Sequence, residues 1–263
     1  MNIKTHNRVK WQWSIVIILL SAFNCNLIAQ NNGLSFNGVD EEAQVGVLSH
    51  FDDVSNLPFT IEAWFNPTQS VNQGTVWSFG TGSDRSIRLK QVAGGGMAVD
   101  GIDGDYIVGS SPSIAVNRWH HSAVVYDGTE LILYIDGIEE GRATLVTPLI
   151  PENLGFRIGR GTFDFNNFWE GQIDELRIWK YPLSETEVFD GLFFAVDGTE
   201  AGLIHSYNFN ETTGTILPDL AGVADGSTIN MADGNWQASE AGEKQLNQSG
   251  GAGGWTTCAI WSR

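Results

Sequence analysis

Cysteine is nearly missing from this chain: two residues in 263, Cys25 and Cys258. A disulfide scaffold is therefore excluded, and an ordinary apolar core must hold the fold together. Basic residues are scarce as well, 14 Lys and Arg against 31 Asp and Glu, for a net charge of −17. Such a charge opposes nucleic acid and anionic lipid surfaces as partners. Long apolar runs are absent beyond residues 13–23, too short for a comfortable membrane span, so no transmembrane segment is expected in the mature chain. Lys4, Arg8 and Lys10 precede that run, and Leu27-Ile28-Ala29 follows it with a cleavage site after Ala29. Residues 1–29 thus read as a secretory signal peptide, which predicts a secreted or cell-surface protein. A lipoprotein anchor at Cys25 is the competing reading, with Phe23-Asn24 a poor substitute for the small residues it needs. The signal carries three of the basic residues and none of the acidic ones, so the mature chain is more acidic still. Cys25 would leave with it, and Cys258 would stand alone.

What is present is alternation. Residues 119–137 read Trp-His-His-Ser-Ala-Val-Val-Tyr-Asp-Gly-Thr-Glu-Leu-Ile-Leu-Tyr-Ile-Asp-Gly, and residues 171–179 read Gly-Gln-Ile-Asp-Glu-Leu-Arg-Ile-Trp. Period-two patterning of this kind predicts antiparallel strands with one face on a core and one in water. Asp127-Gly128 and Asp136-Gly137 supply the positive-φ positions of tight hairpins. Residues 59–65 alternate too, with Phe59, Ile61, Ala63 and Phe65 on one face and Glu62 and Trp64 on the other. Further strands are predicted at 75–79, 86–90, 97–100, 106–108, 130–135, 138–142, 156–158 and 168–179. Regular turns between many short strands mean an all-β sandwich or barrel. Ser184 and Glu187 form a capping box that opens one short helix, which Gly191 can end. This helix is expected to close the sandwich as a lid.

These strands resemble the LamG-like jelly-roll domains of the concanavalin A-like lectin/glucanase superfamily. The resemblance rests on Leu34-Ser35-Phe36-Asn37-Gly38-Val39-Asp40, the strand at 59–65, and Trp119-His120-His121-Ser122-Ala123 with Asp127-Gly128. It continues through Leu133-Tyr134-Ile135-Asp136-Gly137, Ile158-Gly159 and residues 168–179 with Pro182-Leu183-Ser184. It implies a two-sheet antiparallel jelly-roll β-sandwich over residues 32–191. Residues 198–244 resemble the start of a second, truncated module, as in a fragment of a longer modular protein. Residues 245–263 read as a tail that is poorly ordered.

Glucanase relatives carry a Glu-x-Asp-x-x-Glu strand, whereas here Asp174 and Glu175 are adjacent and point to opposite faces. Glu170 and Asp174 do not complete the motif, so no catalytic residue is expected. The resemblance instead implies structural calcium where the first and last strands meet, with Asp174 and Asp40 as carboxylate ligands and Gly38 giving a carbonyl. Turn capping by both acids is the equal alternative. Asp100, Asp103 and Asp105 look like a calcium loop but lack its Glu, and read as turn residues. His120 and His121 face opposite ways and cannot share a metal.

A glycan site needs aromatic platforms beside amides and carboxylates. Phe163, Asp164, Phe165, Asn166 and Asn167, in the loop at 161–169, are the candidate ligand-binding residues. The expected function is an exported, non-catalytic module that binds a glycan or an extracellular protein in cell-surface adhesion. An accessory carbohydrate-binding part of a polysaccharide-degrading protein is the alternative.

Overall fold

The computed structural model describes residues 31–46, 58–70, 74–80, 87–101, 106–109, 113–145, 155–162, 167–222 and 224–241. The signal peptide and Cys258 lie outside the described residues, as do Phe163, Asp164, Phe165 and Asn166. So do Asp103 and Asp105.

The described residues form sixteen strands and one α-helix, within one compact unit. In chain order the strands begin with β1 (Asn32–Asn37), β2 (Glu42–Val45), β3 (Phe59–Pro67), β4 (Thr75–Phe79), β5 (Ile87–Gln91) and β6 (Met97–Gly101). Next come β7 (Tyr106–Gly109), β8 (His120–Tyr126), β9 (Glu130–Ile135), β10 (Ile138–Thr144), β11 (Phe156–Ile158) and β12 (Glu170–Trp179). After α1 (Glu185–Asp190) follow β13 (Leu203–Tyr207), β14 (Ile216–Leu217), β15 (Gly226–Ile229) and β16 (Trp236–Ala238). The first sheet runs β10-β9-β8-β3-β12-β1-β16, with β13 also paired to β12. The second runs β14-β15-β2-β11-β4-β5-β6-β7. All pairings are antiparallel, and the two sheets pack as a jelly-roll sandwich.

Alternation places the core. Phe59, Ile61, Ala63 and Phe65 of β3 join Leu34, Phe36, Trp77, Phe79, Phe156 and Ile173 between the sheets. Each large side chain fully buried there contributes about 1.5–3 kcal/mol. The β9–β10 hairpin turns through Asp136 (φ 51°) and Gly137 (φ 76°), with Ile135 opposite Ile138. Two successive positive φ values suit the right-handed strand twist, as the Asp-Gly pair predicts.

Two expectations need correction. The outer face of the first sheet is not simply wet: Glu62 and Trp64 are 1% and 2% exposed. The segment around α1 covers them. Leu183 and Val188 pack on Ala123, Val125, Tyr134 and Trp179, while Leu192 meets Trp64, Trp119 and Ala241. The helix therefore lies over a sheet face. It opens on the predicted capping box, with Ser184 Oγ accepting from the Glu187 amide and Glu187 Oε2 accepting from the Ser184 amide at 2.8 Å. Gly191 ends it at an ordinary helical φ of −58°. A Cβ there would sit 2.6 Å from Glu62 Oε1, which is why the position takes glycine.

The residues expected to open a second module complete the first instead. β13 pairs with β12, β15 with β2 and β16 with β1. Tyr207, Phe209, Leu217 and Trp236 enter the same core as Leu34. The physical reason is that β1 and β2 would otherwise present bare edges. β12 serves two partners along one side because it is irregular at Glu175 (φ 48°): β1 pairs up to Ile173 and β13 from Leu176 onward.

Candidate functional site

The α1 segment leaves one end of the first sheet's outer face open. There β1, β12 and β3 run side by side, with Asn37 opposite Glu170, Ser35 opposite Gln172 and Gln172 opposite Asn66. Their neighbours Phe36, Ile173 and Phe65 point into the core, so the strand pleat turns this polar set outward. Thr68, Asn117 and Gln237 complete a groove of about 310 Å³, at the lower end of the ~300–1,000 Å³ typical of ligand sites.

Gly171 lets the groove floor form. Its φ is +141°, and a Cβ would stand 2.1 Å from the Asn66 carbonyl oxygen. Only glycine permits β12 and β3 to approach so closely. Glu170 is the one carboxylate among the described lining residues. It accepts from Thr68 Oγ1 at 3.2 Å and from Gln69 Nε2 at 2.9 and 2.7 Å. Asn66 Oδ1 is shielded from water and accepts from nothing. A buried amide oxygen without a donor costs about 1–3 kcal/mol.

The structure places the expected calcium ligands Gly38 and Asp40 in the turn after β1 and Asp174 within β12. Gly38 packs against Glu170, with a Cβ there 2.8 Å from the Glu170 Cβ. Asp40 Oδ1 accepts from Asn37 Nδ2 at 2.9 Å, in a turn where Asn37 Oδ1 accepts from the Val39 and Asp40 amides. Asp174 lies four residues further along β12 from Glu170, roughly 13 Å at strand rise. It is fully buried, accepting from Ser239 Oγ and, at 2.8 Å, from the Glu175 amide. Burial, reinforced by Glu175, pushes its carboxyl well above the usual range despite these donors. Asp174 and Asp40 thus sit in separate hydrogen-bonding settings, one buried under Ser239 and one in the Asn37 turn. Among the described residues no group of three His, Cys, Asp or Glu is placed to hold a metal.

Asn167 is the described member of the predicted ligand loop. Its carbonyl accepts from the Thr75 amide at 3.1 Å, and three residues later the chain enters the groove at Glu170. The structure thus brings together Asn37, Asn66, Asn117, Gln172 and Gln237, which sequence spacing could not associate. Their distances along the chain are long, and only strand register makes them neighbours.

The histidines serve structure. His120 Nδ1 lies 2.8 Å from Asp136 Oδ2, whose Oδ1 accepts from the His121 amide at 2.9 Å. The same device recurs at His205, Asp219 and the Ser206 amide, at 2.8 and 2.9 Å. His121 turns the other way, 3.3 Å from Glu62 Oε1. Burial opposes the charge on Glu62, but His121, Arg177 and the Trp179 Nε1–H, at 2.7 Å, hold its carboxyl below the usual range. On the second sheet Asp100, fully buried, pairs with Arg88 and Lys90 at 2.6 and 2.7 Å.

The described residues thus form a two-sheet antiparallel sandwich with a polar groove on one sheet. Residues 37–189 match the laminin G-type family model of the concanavalin A-like lectin/glucanases superfamily. The chain belongs to that family. It is similar to a proposed carbohydrate-binding protein from Bacteroides ovatus, with a TM-score of 0.61 and 21% identity over 75% of this chain and 58% of the other. It therefore spans under two thirds of that structure. It is also similar to domain 4 of an extracellular arabinanase from Geobacillus stearothermophilus, solved with arabinotriose, with a TM-score of 0.51 and 22% identity over 60% and 75%. These likenesses show the fold. No curated protein matches the chain. Among the described residues no helix is long and apolar enough to cross a membrane.

Proposed function

We propose that this protein is an exported, non-catalytic module that binds a glycan in the groove between Asn37, Asn66 and Gln172, as part of cell-surface adhesion. The observation that carries this reading is the open groove itself. Most of the first sheet's outer face is sealed by apolar side chains, while this end keeps amides, hydroxyls and one carboxylate facing outward. Hydrolysis of a glycosidic bond takes two opposed carboxyls, and among the described residues Glu170 is the one that lines the groove. Amide side chains pair with sugar hydroxyls because each both donates and accepts. The arabinanase domain shares this fold, and the same groove would serve an accessory module of a polysaccharide-degrading protein equally well.

Affinity electrophoresis of the full chain through gels containing soluble polysaccharides tests the proposal. At least one polysaccharide is expected to retard the protein, and Asn66→Ala is expected to weaken that retardation. Losing one or two neutral hydrogen bonds, about 0.5–1.5 kcal/mol each, corresponds to roughly three- to tenfold or more in affinity. Retardation that is the same in Asn66→Ala and Gln172→Ala would move the site elsewhere.

A further inference from the structure

We infer that the glycan taken by this groove is uncharged at the residue it holds, one presenting adjacent hydroxyls and no carboxylate or sulfate. This rests on the reading of the groove as a glycan site. Glu170 offers the groove a carboxylate that can only accept. A ligand group that faces it must therefore donate, as Thr68 and Gln69 already do. A sugar hydroxyl donates and accepts at once, whereas an ionised carboxylate or a sulfate presents only acceptor oxygens.

Charge points the same way. No Lys, Arg or His is among the described lining residues, although recognition of carboxylate and sulfate groups relies on such side chains. The carboxylates of Asp40 and Glu41 stand at the rim, where both hydrogen-bond to Asn37. Arg157 and Arg160 share Glu42 on the second sheet at 2.7 and 3.0 Å, and Arg142 pairs with Glu130 and Glu139 on the β9–β10 hairpin. An acid-bearing sugar in the groove would face Glu170 with no compensating charge. The amides of Asn66, Gln172 and Asn117 suit vicinal hydroxyls, where one oxygen accepts from an N–H while its neighbour donates to a carbonyl.

The test is titration of the full chain with neutral oligosaccharides and with the same backbones carrying uronate or sulfate, after an array has chosen the backbone. Neutral forms are expected to bind at least tenfold tighter than their acid-bearing counterparts. Asn66→Ala is expected to weaken neutral binding several-fold with a melting temperature no lower than the parent's, since that side chain makes no hydrogen bond in the fold and its oxygen is buried without a donor. Gln237→Lys, an exposed position, is expected to narrow the neutral-to-acidic ratio several-fold. Acid-bearing glycans bound as tightly as neutral ones, and lost in Asn66→Ala, would overturn this inference and leave the groove standing. Glycan binding indifferent to Asn66→Ala and Gln172→Ala, or no binding across the array, would overturn the groove itself.

Discussion

Asp174 shows how one buried carboxyl can shape the behaviour of the whole chain. Its pKa is raised by burial and by Glu175. As pH climbs past the ordinary carboxylate value of about 4, the unfolded chain releases this proton while the folded chain keeps it. Stability from this group therefore falls with rising pH until the folded pKa is passed. Asp174→Asn, which can keep partners at Ser239 and the Glu175 amide, is expected to remove that slope. Melting temperatures of the two proteins should diverge from pH 4 upward, the variant being the more stable. Glu62 works in the other direction. Its lowered pKa makes its contribution present above the ordinary carboxylate value and lost as pH falls. Trp179→Phe would strip one of its donors and is expected to cost about 1–3 kcal/mol, measurable by urea unfolding. Neither residue's role was legible in the alternation, which assigns Glu62 and Asp174 to a solvent face. A period-two pattern reports which residues share a face, and says nothing of what later packs over it.

Among the elements, β9 and α1 lie where local patterning puts them. Residues 130–135 alternate between two Asp-Gly turns, and Ser184 and Glu187 cap each other across one helical turn. Such signals are local, so sequence carries them. Ser184→Ala should cost about 1 kcal/mol, a fall of about 2–4 °C in melting temperature for a domain of this size, because α1 holds the cover over Trp179. Gly171 belongs to this scale too. Gly171→Ala would force a Cβ into the Asn66 carbonyl, parting β3 from β12 at the groove. A loss of about 3 kcal/mol together with lost glycan binding is the expected outcome of differential scanning calorimetry and titration. The placement of β13 to β16 was not legible, because their partners lie up to two hundred residues away and edge pairing depends on which strands have been left bare.

The whole molecule depends on those late strands. A chain ending at Gly191 would lose Tyr207, Phe209, Leu217 and Trp236 from the common core and expose β1 and β2 as edges. At ~1.5–3 kcal/mol for each of these four side chains, the loss of about 6–12 kcal/mol is comparable with a typical stability margin of about 5–15 kcal/mol. Such a chain is expected to show no cooperative thermal transition by circular dichroism. A sharp native-like transition would restore residues 32–191 as an independent unit. The groove has the same dependence, since Gln237 on β16 closes one side of it. Its existence was hidden in sequence because its amides span residues 37 to 237, and ordinary Asn and Gln carry no motif. The most direct measurement is a side-chain amide NMR titration of the full chain with the neutral oligosaccharide it binds. The account predicts shifts concentrated on the NH₂ groups of Asn37, Asn66, Asn117, Gln172 and Gln237. Shifts confined to the second sheet, at Gln44 and its neighbours, with those five unmoved, would contradict it.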